Sequence, residues 1–343
     1  MRVSDFRRSK AMGKINVIRI IFGCCLILYS CEEAADEPVV WEAGFRTLDI
    51  PFGNSVLKGA VWYPTHQMEE SHVYNTASSG LALTGSVTLN APVARGSWPL
   101  LIFSHGFSGG GIGSAEICEG LAREGYVIVA PDHTDAVLTV RIQGQANGTI
   151  QDALEYLENN PFGEGLAYQY RIAEIQEVIS YMKQQPEWNI NPSKIVYAGH
   201  SMGGWTVMKA MAEGPRPTAM VLYSMGELNW LFQGQRYFER PFFEAIDFPT
   251  AYFYGGQELD EALDANRGNV YAAYAFTFSP SPSYGFLVPQ GNHFTYNSQA
   301  VAPGAFGQPA QLESILRKTV SFLDKHVKGE SVVIGLESGD VSK

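Results

Sequence analysis

The sequence predicts an α/β fold in which a mostly parallel central sheet carries helices on both faces. Short apolar segments typical of buried strands, such as residues 100–103 and 126–130, alternate with segments whose apolar residues recur at helical spacing. This alternation favours a parallel sheet, because parallel neighbours are joined by crossover helices. In such sheets the functional residues gather at the carboxyl ends of the strands.

The elements follow one another along the chain in a regular order. Strands are predicted at residues 45–50, 56–63, 100–103, 126–130, 194–198, 219–223, 250–254 and 284–288. A helix at residues 114–124 ends at Gly125, and another helix must follow Ser201. Two further helices are marked by apolar residues at helical spacing: Ile172, Ile175, Val178, Ile179 and Met182 in one, Leu312, Ile315, Leu316, Val320, Leu323 and Val327 in the other. Residues 134–167 are less regular, and we expect a cap or loop there.

Composition indicates a globular protein and excludes some partners. Of the 343 residues, 45% are hydrophobic and 17% are charged, which is typical of a folded domain. The formal net charge is −11, whereas nucleic-acid-binding domains are usually basic, so no nucleic-acid partner is expected. The acidic balance also provides no attraction to anionic lipids.

Residues 1–30 predict a signal peptide. A basic start precedes an apolar run from Ile15 to Leu28, which Arg19 interrupts and which is short for a membrane-spanning helix. Cys31 follows Ser30 directly and resembles the cysteine of bacterial lipoproteins that becomes the lipidated first residue. The acidic residues 31–42 would then form a tether, and the protein would be exported and anchored in the bacterial cell envelope, at the outer membrane or cell surface. The alternative is a plain secretory signal cleaved elsewhere.

The cysteines predict no disulfide in the mature domain. Cys24 and Cys25 lie in the signal peptide and Cys31 is the expected lipidation site, which leaves Cys118 alone. Cys118 has no basic residue close to it in sequence, so we expect a buried and unreactive thiol.

The residues 199–204, Gly-His-Ser-Met-Gly-Gly, fit the pattern Gly-x-Ser-x-Gly between a predicted strand and a predicted helix. This context predicts a sharp turn that projects the Ser201 hydroxyl above the sheet as a nucleophile. Gly199 and Gly203 leave room for the close approach of neighbouring chain. The alternative interpretation is a glycine-rich turn with an ordinary surface serine.

A serine nucleophile needs a general base and an acid that orients the base. His293 lies in a loop directly after the last apolar strand, and we predict it as the base in preference to His200 and His326. The strand at residues 250–254 runs into a loop with two carboxylates, and the usual spacing selects Asp260 as the acid. Glu258 is the second candidate for the acid.

A third candidate for the acid is Glu227, which follows the preceding strand, where some related enzymes place their acid.

The oxyanion of a tetrahedral intermediate needs backbone N–H donors. The expected donors are Met202, directly after the nucleophile, and Phe107, in the glycine-rich loop after residues 100–103. In that region we interpret His105 and the pair Asp132-His133 as structural, since one Asp-His pair lacks the ligand count of a metal site.

The chain resembles secreted bacterial hydrolases of the dienelactone-hydrolase-like and platelet-activating-factor-acetylhydrolase-like groups, within the α/β-hydrolase superfamily. Four segments carry the resemblance: residues 61–64, Val-Trp-Tyr-Pro, residues 101–106, residues 130–133, Ala-Pro-Asp-His, and residues 199–204. The similarity spans about residues 45–328, and polyester hydrolases and cutinases share the segment around Ser201. It implies hydrolysis of carboxylic esters without a metal or other cofactor.

Two positions depart from the pattern of these groups. Acetylhydrolases of this kind place an Asp where this chain has Tyr223-Ser224, which keeps Asp260 as the expected acid. Ser201 replaces the nucleophilic cysteine of true dienelactone hydrolases.

The expected organisation is therefore a signal peptide (1–30), a tether (31–42), one hydrolase domain (43–330) and a C-terminal tail (331–343). The expected function is a serine carboxylic-ester hydrolase that uses a Ser-His-Asp triad on a small-molecule or polymeric ester. Three alternatives remain open: a polyester hydrolase, an acyltransferase and a catalytically silent envelope-binding protein. The sequence does not predict the acyl-chain preference or the oligomeric state.

Overall fold

The computed structural model describes residues 40–76, 82–137, 141–142, 151, 155, 169–225, 240–258, 271–298 and 309–343. The predicted signal peptide, Cys31 and most of the predicted tether lie outside these ranges. Residues 40–343 form one compact unit. None of the helices described is both long enough and apolar enough to cross a membrane.

The described residues form a central sheet of 11 strands. Its strands in chain order are β1 (Glu42–Phe52), β2 (Ser55–Thr65), β3 (Glu70–Thr76), β4 (Ala82–Leu89), β5 (Trp98–Ser104), β6 (Val127–Pro131), β7 (Ile190–His200), β8 (Ala219–Tyr223), β9 (Thr250–Gly255), β10 (Ser283–Val288) and β11 (Val341–Ser342). Their order across the sheet is β11-β10-β9-β8-β7-β5-β6-β2-β1-β4-β3.

The middle of the sheet is parallel. Every neighbouring pair from β10 to β6 runs parallel. Antiparallel pairs occur toward the edges, where β2 pairs with β6 and β1, β3 with β4, and β11 with β10. The carboxyl ends of β5, β7, β8, β9 and β10 therefore meet at one edge of the sheet, as the sequence predicts.

Helices cover both faces of this sheet. The described helices are α1 (Ala115–Arg123), α2 (Gln169–Lys183), α3 (Met202–Glu213), α4 (Arg240–Glu244), α5 (Tyr271–Phe278) and α6 (Pro309–Leu323), with a 3-10 turn at Pro186–Trp188 and a π-helical turn at Asp324–Lys328. The apolar residues of α1 and α6 pack in one core cluster, and those of α2 and α3 in another.

The central strands divide their side chains between these two clusters. In β6, Val127 and Val129 belong to the cluster of α2 and α3, whereas Ile128 and Ala130 belong to that of α1 and α6. Successive side chains of a strand point to opposite faces, so a strand buried on both faces needs a continuous apolar run. This explains why the short apolar segments of the sequence mark the central strands.

The mostly parallel sheet with helices on both faces confirms the predicted fold class. The hairpin of β3 and β4 was not predicted, because its strands mix polar and apolar residues, as in Glu70–Thr76. The expected C-terminal tail contributes β11, whose two residues pair with β10. A strand this short carries no periodic pattern that could be recognised in the sequence.

Candidate active site

Ser201 lies in a sharp turn between β7 and α3. Its backbone has φ 55° and ψ −124°, a conformation that costs free energy for any residue with a side chain. The Ser201 N–H donates to the carbonyl of Tyr223 at 3.0 Å, which ties the turn to the end of β8. The structure thus holds Ser201 in the strained turn that the sequence predicts.

Two glycines make this turn possible. A Cβ atom on Gly203 would lie 1.9 Å from the carbonyl oxygen of Ser104, at the end of β5. A Cβ atom on Gly199 would lie 2.4 Å from the backbone of Gly203. Both distances are far below van der Waals contact, and the opposing atoms are backbone atoms that cannot rotate away.

The imidazole of His293 lies against the Ser201 hydroxyl. The distance from His293 Nε2 to Ser201 Oγ is 2.8 Å, and Nδ1 on the opposite side of the ring lies 2.8 Å from Ser224 Oγ. With Nδ1 as the donor to Ser224, Nε2 is free to accept the hydroxyl proton of Ser201. The two residues are 92 positions apart in sequence, and the parallel sheet brings them together.

The loop that carries His293 is fixed by its own turn and by His200. Asn292 Oδ1 accepts the Phe294 N–H at 2.9 Å, and the Asn292 N–H donates to Thr295 Oγ1 at 2.8 Å. His200 Nε2 donates to the carbonyl of His293 at 2.7 Å. Burial, with the nearby His293 as a second cause, lowers the pKa of His200 to about 3, so His200 is a neutral donor.

Of the three candidate acids, Glu258 is the one within the described residues. Asp260 and Glu227 lie outside them. The Glu258 carboxylate accepts the Gly255 N–H at 2.6 Å through Oε2, and its Oε1 accepts the Ser224 hydroxyl. Glu258 Oε1 is 3.4 Å from His293 Nδ1.

The segments that carry the two expected oxyanion donors run beside Ser201. Met202 is the first residue of α3, so its N–H has no carbonyl partner one turn earlier in the helix. The loop with Phe107 follows β5, and a Cβ atom on Gly106 would lie 3.3 Å from Ser201 Cβ. The backbone before Phe107 therefore runs directly past the nucleophile.

A buried arginine supports this loop from below. Arg171 of α2 donates to the carbonyl of His105 at 2.8 Å and to that of Gly106 at 3.3 Å. It also forms a bidentate ion pair with Asp135, at 2.9 and 2.6 Å, and both side chains are fully buried. The guanidinium thus fixes two consecutive carbonyls directly before Phe107.

A second line of serine, histidine and glutamate lies beneath the same loop. His133 Nε2 is 2.8 Å from Ser104 Oγ, and His133 Nδ1 is 2.6 Å from Glu174 of α2. Ser104 and Glu174 are fully buried and His133 is 1% exposed, so no substrate reaches them. Burial raises the pKa of Glu174 to about 7 and lowers the pKa of His133 well below its usual value.

The structural interpretation of His105 and of Asp132-His133 agrees with these contacts. His105 Nε2 accepts the His133 N–H at 3.0 Å, and its Nδ1 donates to the Gly106 carbonyl at 2.7 Å. Asp132 accepts the backbone N–H of Gly111 at 2.7 Å and of Ile142 at 2.8 Å. Within the described ranges, no three residues of the types His, Cys, Asp and Glu cluster as a metal site would require.

Cys118 is fully buried, which confirms the expected buried thiol, and burial raises the pKa of this thiol well above the usual value. Sequence reasoning missed Ser224, Arg171 and Glu174. One signal was available for two of them: Arg171 and Glu174 lie three residues apart, next to the apolar positions of α2. For Ser224 the signal was its position, where acetylhydrolases of the resembled kind place their Asp, but its contacts depend on neighbouring strands.

Comparison with known proteins agrees with the fold. The sequence model of the family described as platelet-activating factor acetylhydrolase, isoform II, matches residues 65–177, a segment that ends before Ser201. A search of curated proteins gives no match. The ferulic acid esterase from Streptomyces cinnamoneus is a similar solved structure, with a TM-score of 0.63 and 19% identity over 90% of this chain and 97% of that one.

At 19% identity this structural likeness shows the fold alone, and the family model matches about a third of the chain. The fold likeness agrees with a serine turn at the carboxyl edge of a parallel sheet, whereas the matched family segment does not include Ser201. The chain is thus similar to an esterase in its fold, and residues 65–177 are similar to a family of acetylhydrolases.

Proposed function

We propose that this protein hydrolyses carboxylic esters through an acyl-enzyme formed on Ser201. The observation that carries the proposal is the 2.8 Å contact between the Ser201 hydroxyl and His293 Nε2, at a strained turn. His293 takes the hydroxyl proton while Ser201 Oγ bonds to the ester carbonyl carbon. The imidazolium then gives this proton to the leaving alcohol, and the acyl-serine remains.

The second half of the reaction repeats the first with water. His293 takes a proton from a water molecule, the hydroxide attacks the acyl carbon, and Ser201 leaves with its proton restored. In both halves the carbonyl oxygen becomes negatively charged. The N–H groups of Met202 and Phe107 receive this charge, because backbone donors fixed in advance need no reorganisation as it develops.

A carboxylate after β9 orients the imidazole. Glu258 is supported by its position 3.4 Å from His293 Nδ1 and by the Gly255 N–H that holds its other oxygen. We assign the acid to Glu258 and keep Asp260, the acid expected from the sequence, as the comparison. Loss of the acid of a serine triad lowers kcat by about 10⁴-fold, so Glu258→Gln should show a loss of this size and Asp260→Asn a small one. The reverse result would return the role to Asp260.

The central test uses a panel of p-nitrophenyl esters of increasing acyl length. Ser201→Ala and His293→Ala should each lower kcat by about 10⁴- to 10⁶-fold, with an unchanged circular dichroism spectrum. A fluorophosphonate probe should label the wild type and not Ser201→Ala. Equal turnover by wild type and Ser201→Ala would contradict the proposal.

The same panel addresses the substrate and the alternatives. The structural neighbour is named a ferulic acid esterase and the matching family is named for an acetylhydrolase, so feruloyl and acetyl esters belong in the panel. Release of soluble products from polyester film would favour a polyester hydrolase. Ester products formed with added alcohols would favour an acyltransferase, and absence of labelling and turnover would favour a silent binding protein.

We further propose that Cys31 carries a lipid anchor in the bacterial envelope. The support is the sequence alone: a basic and apolar leader, a cysteine after Ser30 and an acidic tether. Metabolic labelling with an alkyne palmitate analogue should mark the wild type in the membrane fraction. Cys31→Ala should abolish the label, and a labelled Cys31→Ala variant would contradict the proposal.

A further inference from the structure

The Ser224 hydroxyl lies between the imidazole of His293 and the carboxylate of Glu258. We propose that Ser224 is a positioning residue that connects the two, so that the acid acts on the base through a bridging hydroxyl. The inference rests on the proposed function, because it concerns the same site. It changes the arrangement from a three-residue line to a four-residue line: Ser201, His293, Ser224 and Glu258.

The distances favour the bridge over the direct contact. His293 Nδ1 lies 2.8 Å from Ser224 Oγ and 3.4 Å from Glu258 Oε1. The first distance is that of a good hydrogen bond, and the second exceeds the usual range for N–H to oxygen. The Ser224 hydroxyl in turn donates to Glu258 Oε1. One hydroxyl thus accepts from the ring and donates to the carboxylate, which uses both of its capacities.

Ser224 is held in this place by the ends of three strands. It follows β8 directly, and its N–H donates to the carbonyl of Phe253 in β9 at 2.9 Å. The preceding residue, Tyr223, accepts the N–H of Ser201 from the end of β7. Ser224 has a φ of 44° and is 1% exposed, so its hydroxyl is aimed by a strained and buried backbone.

The carboxylate end of the bridge is equally constrained. The Gly255 N–H holds Glu258 Oε2, and a Cβ atom on Gly255 would lie 2.3 Å from the carbonyl oxygen of Gly291. The Gln257 N–H donates to that same carbonyl at 2.9 Å. The loop after β9 is therefore packed against the loop of His293, and the carboxylate of this loop reaches the site across the residue that follows β8.

No bond is broken along this bridge. When His293 takes the Ser201 proton, the imidazolium N–H strengthens its donation to Ser224, and the hydroxyl donates more strongly to the carboxylate. The proton stays on His293 until the leaving alcohol takes it. Ser224 orients the ring and conveys the stabilisation of its positive charge, so its loss should affect kcat more than KM.

The test compares Ser224→Gly with Ser224→Ala. Both remove the hydroxyl, but glycine also relieves the strain of the positive φ whereas alanine retains it. We expect both to lower kcat/KM by about 10- to 100-fold, the value of a hydrogen bond to a charged group. The loss should appear in kcat rather than in KM, because the imidazolium formed during the reaction loses its contact with the carboxylate.

A double-mutant cycle with Glu258→Gln then decides whether the two residues act together. If Ser224 acts through Glu258, the variant Ser224→Gly/Glu258→Gln should be no slower than Glu258→Gln alone, within about threefold. Independent roles would instead multiply the two losses. Multiplied losses, or a Ser224→Gly variant with wild-type kcat, would overturn the inference.

Ser279→Ala is the matched control. Ser279 is also a buried serine, 2% exposed, and its hydroxyl contacts Tyr252 at 2.6 Å, away from the site. Its loss should lower stability without changing kcat. If wild type is labelled by fluorophosphonate and Ser201→Ala is inactive, an additive cycle refutes the bridge alone. If these two conditions fail, the hydrolase proposal itself fails.

Discussion

At the scale of single residues, the site depends on two glycines beside Ser201 as much as on the side chains that react. The backbone of Ser201 passes between two glycines, and the space on either side is filled by carbonyl and backbone atoms. The strain of the turn is sustained because β5 and β8 hold the turn on both sides. A side chain added at this point should therefore affect stability and chemistry together.

Gly203→Ala should be strongly disruptive for this reason. Its Cβ atom would lie 1.9 Å from the Ser104 carbonyl oxygen and 2.7 Å from that of His105, which forces β5 and α3 apart. We expect a loss of about 3 kcal/mol in the free energy of unfolding and a large fall in kcat. Urea unfolding and the ester assay would measure the two effects.

The matched control is Gly335→Ala. A Cβ atom there meets nothing within 4 Å, so stability and kcat should be unchanged. If Gly203→Ala behaved like Gly335→Ala, the described crowding around the turn would be wrong.

Which residues the sequence could predict follows from how local their signals are. The signal for Ser201 lies within six consecutive residues, and His293 follows the last apolar strand directly. The resemblance marked the position of Ser224, but its contacts with His293 and Glu258 form only when the ends of β8 and β9 lie side by side. The spacing rule selects Asp260, which lies outside the described residues, so that choice stays a prediction.

At the scale of elements, α2 supports the site although it supplies none of its reacting atoms. Arg171 and Glu174 extend from this helix beneath the loop after β5. Charged groups this deeply buried are costly unless they are paired, and both have partners here. The helix therefore sets the position of the loop that carries Phe107.

Arg171→Met should separate stability from catalysis. It removes the donors to the carbonyls of His105 and Gly106 and leaves the Asp135 carboxylate buried without the guanidinium. Removing one partner of a buried pair costs about 3–5 kcal/mol. We expect that loss of stability together with a fall in kcat of about 10- to 100-fold from the displaced loop.

Arg171→Met/Asp135→Asn should recover much of the stability, since the buried charge is gone, but not kcat, since the loop carbonyls still lack their donor. Arg216→Met is the control: its ion pair with Asp247 is half exposed and should contribute less than about 1 kcal/mol. Full recovery of kcat in the double variant would show that the arginine does not position the loop.

The elements themselves were predictable where they are buried on both faces. Apolar runs marked β5 to β10, and helical spacing marked α2 and α6. The hairpin of β3 and β4 escaped prediction because one of its faces is polar. Asp135, the ion-pair partner of Arg171, lies in the irregular stretch at residues 134–167. It is far from α2 in sequence, so the pair could not be predicted.

At the scale of the whole molecule, three buried histidines near the site are neutral. Burial lowers the pKa of His105 and of His133 well below its usual value, and that of His200 to about 3. Between pH 6.5, the usual pKa of a histidine, and about pH 3, the unfolded chain therefore binds a proton at His200 that the folded protein does not bind. The contribution of His200 to the free energy of unfolding is fully present above pH 6.5 and is lost as the pH falls toward 3.

The contribution of His200 to stability should appear as a difference between the wild type and His200→Gln in the free energy of unfolding. Glutamine can still donate to the His293 carbonyl, but it does not titrate. The free energy of unfolding of the wild type should fall more steeply with decreasing pH than that of the variant, by up to about 1.4 kcal/mol per pH unit.

Urea unfolding at several pH values below 6.5 would measure both curves. Burial raises the pKa of Asp132 to about 6 and of Glu174 to about 7, which acts in the opposite direction, but these groups are common to both proteins. Parallel curves would mean that His200 is not held neutral in the fold.

The hydrogen bond from His200 to the His293 carbonyl spans β7 to β10, strands that β8 and β9 separate in the sheet. Backbone bonds also join β7 to β8 at Tyr223, β8 to β9 at Ser224, and the loops after β9 and β10 at Gly291. Hydrogen bonds therefore connect the carboxyl ends of β7, β8, β9 and β10 at the edge of the sheet that carries the site. Because these bonds join the strand ends themselves, the relative positions of Ser201, Ser224 and His293 depend on the sheet rather than on any single loop.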